Sequence, residues 1–190
     1  MAFETILSIF LGIGLAASVG FRIFLPLFAL SLAAYLNVWE LNDNWEWIGS
    51  IPALITLGVA TVVEIFAYFI PWVDNLLDGF AVPLAGIAGT AVMVSTVADL
   101  DPIISWTLAI IAGGGTATAI KSTSATGRIA SSTTTGGIAN PIIGLVETVV
   151  AVVMTVLSIF VPMLAAILVV IILLVLFKLY KKLRTKSNPN

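Results

Sequence analysis

The feature that most constrains the fold is the unbroken apolar run from Met163 to Phe177. With its flanks, this run is long enough to cross a bilayer as a helix, because a crossing helix needs about 20 mostly apolar residues. The rest of the chain is similar: 60% of its 190 residues are hydrophobic, 9% are charged, and the mean hydropathy is +1.16. Such a chain has too little polar surface for a soluble globule, and the strands of a membrane barrel would alternate in polarity. We therefore predict an all-α, polytopic membrane protein whose surroundings are the lipid bilayer.

Proline, glycine and acidic residues divide the chain into six predicted transmembrane helices. The first contains Gly12, Gly14, Gly20 and Pro26, and it is long for one crossing, which predicts that it is tilted, kinked or broken near Arg22. We expect one transmembrane domain, 1–190, that ends in a basic tail, 181–190. The predicted helices are 5–36, 48–71, 76–98, 103–127, 134–161 and 162–180.

The distribution of charge predicts the orientation. The connections 37–49 and 98–102 are acidic and contain no Lys or Arg, as expected of segments that are translocated. Six crossings would place the N-terminus on the same side as the basic C-terminal segment, which should stay in the cytoplasm. The predicted location is the inner (cytoplasmic) membrane. The basic residues of that segment are Lys178, Lys181, Lys182, Arg184 and Lys186.

The six predicted helices form two sets of three with the same order of features. A glycine-rich first helix leads to Arg22 in one set and to Lys121 in the other, and the next helix carries Glu64 or Glu147. Because each set has an odd number of crossings, the second must be inverted relative to the first, as in many secondary transporters. The two predicted inverted repeats cover residues 1–98 and 103–180.

An inverted repeat makes a demand on the stretch 113–137, which is rich in Ser and Thr. For Glu147 to lie as deep in its helix as Glu64 does, the fifth helix must begin near Ser131 rather than at Asn140. The difference amounts to roughly 13 Å of helix. Whether residues 131–137 form a cytoplasmic loop or lie at membrane depth stays open at this point.

By their positions, five ionisable residues are predicted to lie near the centre of the bilayer: Arg22, Glu64, Lys121, Arg128 and Glu147. An ionisable side chain near the bilayer centre costs about 2.5 to 3.5 kcal/mol on insertion scales, so it usually faces the protein interior and finds a partner. Three cations and two anions allow two internal ion pairs. Two interpretations are open: the pairs hold helices together, or they line a central polar cavity that opens when a solute or proton arrives.

Helical spacing places further residues beside these charges. In the fourth predicted helix, steps of four, three and seven residues align Gly114, Thr118, Lys121 and Arg128, with Ser124 beside them. In the fifth helix Asn140 and Glu147 share a face, and in the second helix Tyr68 lies one turn from Glu64. The predicted substrate-binding or coupling residues are Arg22, Glu64, Tyr68, Gly114, Thr118, Lys121, Ser124, Arg128, Asn140 and Glu147.

The composition excludes several kinds of chemistry. The chain has no His and no Cys, so it lacks the usual ligands of zinc, haem and iron–sulfur clusters and the usual nucleophile pairs. No basic groove with interleaved aromatic residues suggests nucleic acid. We expect no metal, no cofactor, no nucleic-acid partner and no enzymatic activity.

The chain resembles a family of small bacterial integral membrane proteins described only as a domain of unknown function. The resemblance covers nearly the whole chain and implies a compact helical membrane domain, but it transfers no activity. The residues that carry it are Gly20-Phe21-Arg22 with Pro26, Glu64 with Tyr68, Pro71 and Asp74, Gly113-Gly114-Gly115-Thr116, Thr126-Gly127-Arg128, Gly136-Gly137, Asn140-Pro141 and Glu147.

The pattern of buried charges favours a transporter or channel for a small polar or anionic solute. In this hypothesis the cations attract the solute, and Glu64 and Glu147 act as counter-ions or proton carriers. The alternative is a non-transporting scaffold, or the substrate-binding subunit of a larger transport complex. Stripes of small residues on the helices also allow a homo-oligomer.

Overall fold

The computed structural model describes residues 2–67, 70–97 and 100–186, and within these residues the fold is helical without strands. A 3-10 helix, Asp43–Gly49, lies before the α-helix that begins at Ile51, and a π-helical turn, Ala109–Gly114, joins the α-helices on either side of it without a break. The α-helices are α1 (Ala2–Phe21), α2 (Phe24–Tyr35), α3 (Ile51–Ala67), α4 (Pro71–Thr96), α5 (Pro102–Leu108), α6 (Gly115–Thr135), α7 (Asn140–Phe160) and α8 (Pro162–Lys186).

The helix boundaries follow from local chemistry. Proline occupies the first turn of α4, α5, α7 and α8, where its missing N–H costs nothing. The side chain of Asp101 caps α5 by accepting a hydrogen bond from the Ile103 N–H at 2.9 Å. Gly136 ends α6 with a left-handed φ of 64°.

Helix α1 forms the centre of the bundle. It contacts α4, α6, α7 and α8, and its residues Leu15, Ala16, Ala17 and Val19 are fully buried. Gly20 lets α6 approach closely, since a Cβ there would lie 2.6 Å from Cβ of Ile120. The part of α1 from Leu15 to Val19 is therefore enclosed by neighbouring helices.

Helices α1 and α2 run in opposite directions and form a hairpin whose tip is buried. Along α1, Gly12 lies against Met93 near the C-terminal end of α4, whereas the Arg22 side chain reaches Gly144 near the start of α7. The chain then reverses, and α2 returns until Ser31 donates a hydrogen bond to the Ile48 carbonyl. We call residues 21–24 the hairpin tip.

One end of the bundle gathers the acidic connections. The Asn42 N–H donates to the Ser95 carbonyl at 3.0 Å, and the Trp39 indole donates to the Ile159 carbonyl at 2.9 Å. These bonds place the loop after α2 beside the ends of α4 and α7, and we call this side the acidic end. Glu40, Asp43, Glu46 and Asp101 lie there; the turn between α6 and α7 and the last turns of α8 lie at the opposite, basic end.

The helices are compatible with a multi-pass membrane protein. By length and composition, four could cross a bilayer: Phe3–Phe21, Gly79–Thr96, the continuous Pro102–Thr135 and Asn140–Phe160. The 3-10 helix and α3, which meet at 63°, make a fifth if they count as one span; α2 and Pro162–Lys178 are shorter. Many of the large side chains on the outer surface are apolar, including Ile55, Val59 and Phe66 on α3. The described helices thus give four or five candidate spans where the sequence predicts six.

The hairpin changes the predicted topology. Residues 5–36 were expected to cross once, with a break near Arg22; the break lies there, but the chain turns back instead of continuing. The N-terminal part of α1 therefore lies near the acidic end, and α8 ends at the basic end. The expectation that both termini share one side is not confirmed: a reversal between α1 and α2 would leave one crossing fewer than the six on which it rests.

The predicted inverted repeats are not confirmed. The two glycine-rich helices run in the same direction: α1 contacts the π-helical turn along its middle, and further on Gly20 meets Ile120. Inversion requires opposite directions.

The polar stretch 113–137 is mostly one helix. Its Ser/Thr-rich second half continues α6 to Thr135, and α7 begins at Asn140 after a short turn. The start near Ser131 that the repeat demanded for the fifth helix is therefore not observed. The hydroxyls of Thr133, Thr134 and Thr135 bond to α6 carbonyls one turn back, which lets this polar segment remain helical.

Candidate functional site

The N-terminus of α2 binds a carboxylate inside the bundle. The two oxygens of Glu64 accept hydrogen bonds from the N–H groups of Ile23, at 2.7 Å, and Phe24, at 3.0 Å. The first N–H groups of a helix have no partner within the helix, and the helix dipole favours an anion there. The Glu64 side chain, which is 6% exposed, therefore stabilises the reversal of the chain.

The C-terminus of α1 binds a cation on the other side of the tip. The ammonium group of Lys121 on α6 donates to the Phe21 carbonyl at 3.1 Å. The last carbonyls of a helix carry a partial negative charge that suits an ammonium. Lys121 is 1% exposed, so its aliphatic part is also enclosed by protein.

Arg22 joins the tip to α7. Its Nε donates to the Thr148 hydroxyl at 2.9 Å, and its Nη2 donates to the Gly144 carbonyl at 2.6 Å. The Thr148 hydroxyl in turn donates to the same carbonyl at 2.8 Å. Because Arg22 is 2% exposed, these bonds compensate part of the cost of removing a guanidinium from water.

The second buried carboxylate lies between α6 and α7. Glu147 forms an ion pair with Arg128 and accepts a hydrogen bond from the Ser124 hydroxyl. Nε of Arg128 also lies 3.4 Å from the Glu147 oxygen that accepts the hydrogen bond from Ser124. Arg128 and Glu147 are 3% and 5% exposed, so the pair is enclosed by protein rather than by lipid or water.

The five charged residues make one assembly, which we call the charged cluster. Lys121 interacts electrostatically with both carboxylates, Glu64 and Glu147, and with both guanidinium groups. Glu64 lies thirteen residues after Ile51, and Glu147 lies thirteen residues before Phe160. Both Ile51 and Phe160 lie at the acidic end of the bundle, so each glutamate is about 20 Å along its helix from that end. The cluster therefore lies well inside the length of the bundle.

Some of the predicted site residues lie away from the cluster. Gly114 and Thr118 pack against α4: a Cβ on Gly114 would lie 3.0 Å from the Gly86 carbonyl, and a Cβ on Gly86 would lie 2.8 Å from the Thr118 hydroxyl. Asn140 bonds to Ser132 at 3.0 Å, at the turn between α6 and α7. Tyr68 lies outside the described residues.

The sequence did not identify several partners in the cluster. Thr148 was not singled out, although it follows Glu147 directly. The other partners are main-chain groups, namely the carbonyls of Phe21 and Gly144 and the N–H groups of Ile23 and Phe24. Main-chain partners have no residue-type signature, so no sequence pattern marks them.

Open space lies beside the cluster. Four pockets of the described part of the chain are lined by residues other than the five charged ones. One pocket, with a volume of about 560 Å³, is bounded by α2, α3, α4 and the 3-10 helix, and we call it the apolar groove. Ile23 and Phe24 line it, so it reaches the hairpin tip behind the Glu64 carboxylate. In the described residues no group of three or more acidic side chains is arranged to hold a metal ion.

Comparison with known proteins gives a family without an assigned activity. A family model described as a domain of unknown function (DUF4126) matches residues 9–182, and the chain belongs to this family. Neither the comparison with curated proteins nor the comparison with solved structures gives a match.

Proposed function

We propose that the protein is a membrane transporter or channel for a small polar or anionic solute, and that the hairpin tip with its charged cluster is the coupling site. The observation that supports this most is the pair of helix ends at the tip, one bound to Glu64 and the other to Lys121. Interrupted helices inside membrane bundles supply such ends in secondary transporters, where they bind anionic groups and cations.

Competition at the tip provides a mechanism. Glu64 and Glu147 occupy positions that an anionic solute would also favour, beside main-chain N–H groups and buried cations. Protonation of a carboxylate weakens its hold on these donors, because a neutral carboxyl is a poorer acceptor than a carboxylate. A solute could then take its place, which would link solute movement to proton movement.

The charge distribution supports an orientation. The basic end carries the C-terminal lysines and arginine, so we place it in the cytoplasm of a bacterial cell, across the inner membrane. The acidic end and the beginning of α1 then lie on the other side. The predicted homo-oligomer stays a prediction.

A scaffold or binding subunit is the second candidate, and one observation favours it. Each of the five charged residues already has a partner within the chain, and the described pockets lie elsewhere. Buried ion pairs of this kind can serve to specify one arrangement of helices. This candidate predicts no flux and a loss of folding, rather than a loss of activity, when a charge is neutralised.

Flux measurements distinguish the two candidates. The purified protein would be reconstituted into liposomes that contain a pH-sensitive dye, and gradients of chloride, inorganic phosphate or succinate would be imposed at two pH values. We expect a pH-dependent flux of at least one of these anions, and its loss in both Glu64→Gln and Glu147→Gln. Glu40→Gln, a change at an exposed carboxylate, should leave the flux unchanged.

Two results would decide against coupling. If folded Glu64→Gln and Glu147→Gln proteins retain the full pH-dependent flux, the carboxylates are not proton carriers. If the natural sequence gives no flux and both variants lose thermal stability, the scaffold is the better description.

A further inference from the structure

The apolar groove has the size and lining of a site for a small organic molecule. Its volume of about 560 Å³ lies within the range of ligand pockets, roughly 300 to 1,000 Å³. Trp45 and Trp47 line it toward the acidic end, with ring centroids 6.3 Å apart, and Leu57 and Ile87 contribute to its walls. Its lining residues carry no charge.

A second pocket, acidic in character, adjoins the groove on the other side of the 3-10 helix. This pocket, of about 490 Å³, includes Glu40, Asp43 and Glu46, and Ser50 lines both pockets. Three residues per turn place Asp43 and Glu46 on one face of the 3-10 helix and Trp45 with Ile48 on another. One short helix therefore separates an apolar surface from an acidic one.

Among the described residues, no Lys or Arg side chain pairs with the acidic residues of this pocket. The three side chains are exposed, and none of them has an ion pair or side-chain hydrogen bond within the described ranges. The sequence contains no Lys or Arg from residue 23 to residue 120. Uncompensated carboxylates beside a low-dielectric wall create a negative potential that attracts cations and repels anions.

We infer that the apolar groove and the adjoining acidic pocket together bind a lipophilic organic monocation. The apolar body occupies the groove between α2, α3 and α4. The positive centre lies near Trp45 and Trp47, whose faces attract cations, and within the field of Asp43 and Glu46. This site is separate from the charged cluster, so the inference goes beyond the proposed function and does not depend on flux.

Two probes of nearly the same shape and opposite charge test the inference. Tetraphenylphosphonium and tetraphenylborate would be titrated against the full chain in phosphatidylcholine nanodiscs, with tryptophan fluorescence and equilibrium dialysis as readouts. After subtraction of binding to empty nanodiscs, we expect the cation to bind at least about tenfold more tightly than the anion, a difference within the range of cation–aromatic and charge effects. Equal binding of the two probes, or tighter binding of the anion, would overturn the inference.

Variants locate the site. The double variant Asp43→Asn/Glu46→Gln should weaken phosphonium binding about tenfold, whereas Asp101→Asn, at the same end and still able to cap α5, should leave it unchanged. Ala88→Phe should fill the groove and abolish binding, while Ala119→Phe, at an exposed position on α6, should not.

Three outcomes contradict the site. They are retained binding in a folded Ala88→Phe protein, equal losses in the double variant and in Asp101→Asn, and displacement of the phosphonium when phosphatidylethanolamine replaces part of the phosphatidylcholine. The last would mean that a lipid headgroup, and not a separate lipophilic cation, occupies the groove.

Discussion

The charged cluster and the apolar groove meet at the hairpin tip but differ in almost every physical respect. In the cluster, charged groups are buried and their contacts are directional, with partners that include main-chain groups. The groove is open, and its lining is apolar without ion pairs. The difference teaches that the residues most noticeable in the sequence need not line the open groove beside them. It also predicts that stability depends on the cluster far more than on the groove.

Labelling of single cysteines tests the hairpin that joins the two regions. Each cysteine should react from one side of the membrane and not from the other, which makes this the largest expected effect. The chain has no native Cys, so cysteines can be placed at Phe3, Glu40 and Ile138, all exposed positions. Because α1 and α2 reverse direction, we expect the first two to react with a membrane-impermeant maleimide from one side and the third from the other. If Phe3 and Ile138 react from the same side, the first segment crosses the membrane and the hairpin is wrong.

Removal of the carboxylate at the tip should give the largest loss of stability. Glu64→Ala leaves the N–H groups of Ile23 and Phe24 without their acceptor and removes a counter-charge from buried cations, so we expect a loss of about 3 to 5 kcal/mol. The free energy of unfolding in mixed detergent micelles measures it. In the groove, Leu57→Ala should cost about 1 kcal/mol, since this side chain is only partly buried. Similar losses in both variants would end the distinction between the regions.

A double-mutant cycle sharpens the description of the pair between α6 and α7. Arg128→Met leaves Glu147 buried without its ion-pair partner, which should cost about 3 kcal/mol. Arg128→Met/Glu147→Leu removes both charges, so we expect it to unfold with a higher free energy than Arg128→Met alone. The single variant Glu147→Leu completes the cycle. If the free-energy losses of Arg128→Met and Glu147→Leu add up to the loss of the double variant, the two buried charges are not coupled.

Glycine substitutions compare the packing beside the tip with the packing between α2 and α3, and they have the smallest expected effects. At Gly20, beside the tip, an added Cβ would lie 2.6 Å from Ile120 and 3.0 Å from the Ala117 carbonyl, so Gly20→Ala should cost about 1 to 3 kcal/mol. At Gly58, on α3, the nearest atom is the ring edge of Phe28 at 3.2 Å, which can move. Gly58→Ala should therefore be neutral, or stabilise by up to about 1 kcal/mol through helix propensity. Thermal unfolding of both variants measures the contrast.

The sequence predicts helix boundaries well where they have local causes. Pro102 and Pro162 each begin a helix within one residue of the predicted start, since the first turn tolerates their missing N–H groups. The helix predicted to begin at residue 134 begins instead at Asn140, next to Pro141. The reversal at Arg22–Ile23 has no such marker, because neither residue favours a turn. The reversal is stabilised by a tertiary contact with Glu64. The sequence therefore indicated that the helix breaks near Arg22, but not that the chain turns back there.

The candidate site could be predicted only in part from the sequence, for a similar reason. The charges of the cluster are visible because ionisable residues are rare in apolar helices. Helical spacing placed Gly114 and Thr118 on the same face as Lys121 and Arg128, but the first two residues lie outside the cluster. The reason is that this part of the chain passes α4 first, then the tip, and then α7. Residues on one helical face can thus have different neighbours, and spacing along one helix does not reveal which helix lies opposite.

The order in which the chain is synthesised gives the hairpin a consequence for biogenesis. Relative to the residues of the tip that they bind, Glu64 lies 41 positions later, Lys121 lies 100 later, and Gly144 lies 122 later. When α1 and α2 leave the ribosome, Lys121 and Gly144 have not yet been made, and an arginine in the hydrocarbon core is costly without its partners. We therefore expect the first helices to reach their full depth in a bilayer only after α7 has been added. The N-terminal part of the protein would then complete its fold near the end of translation.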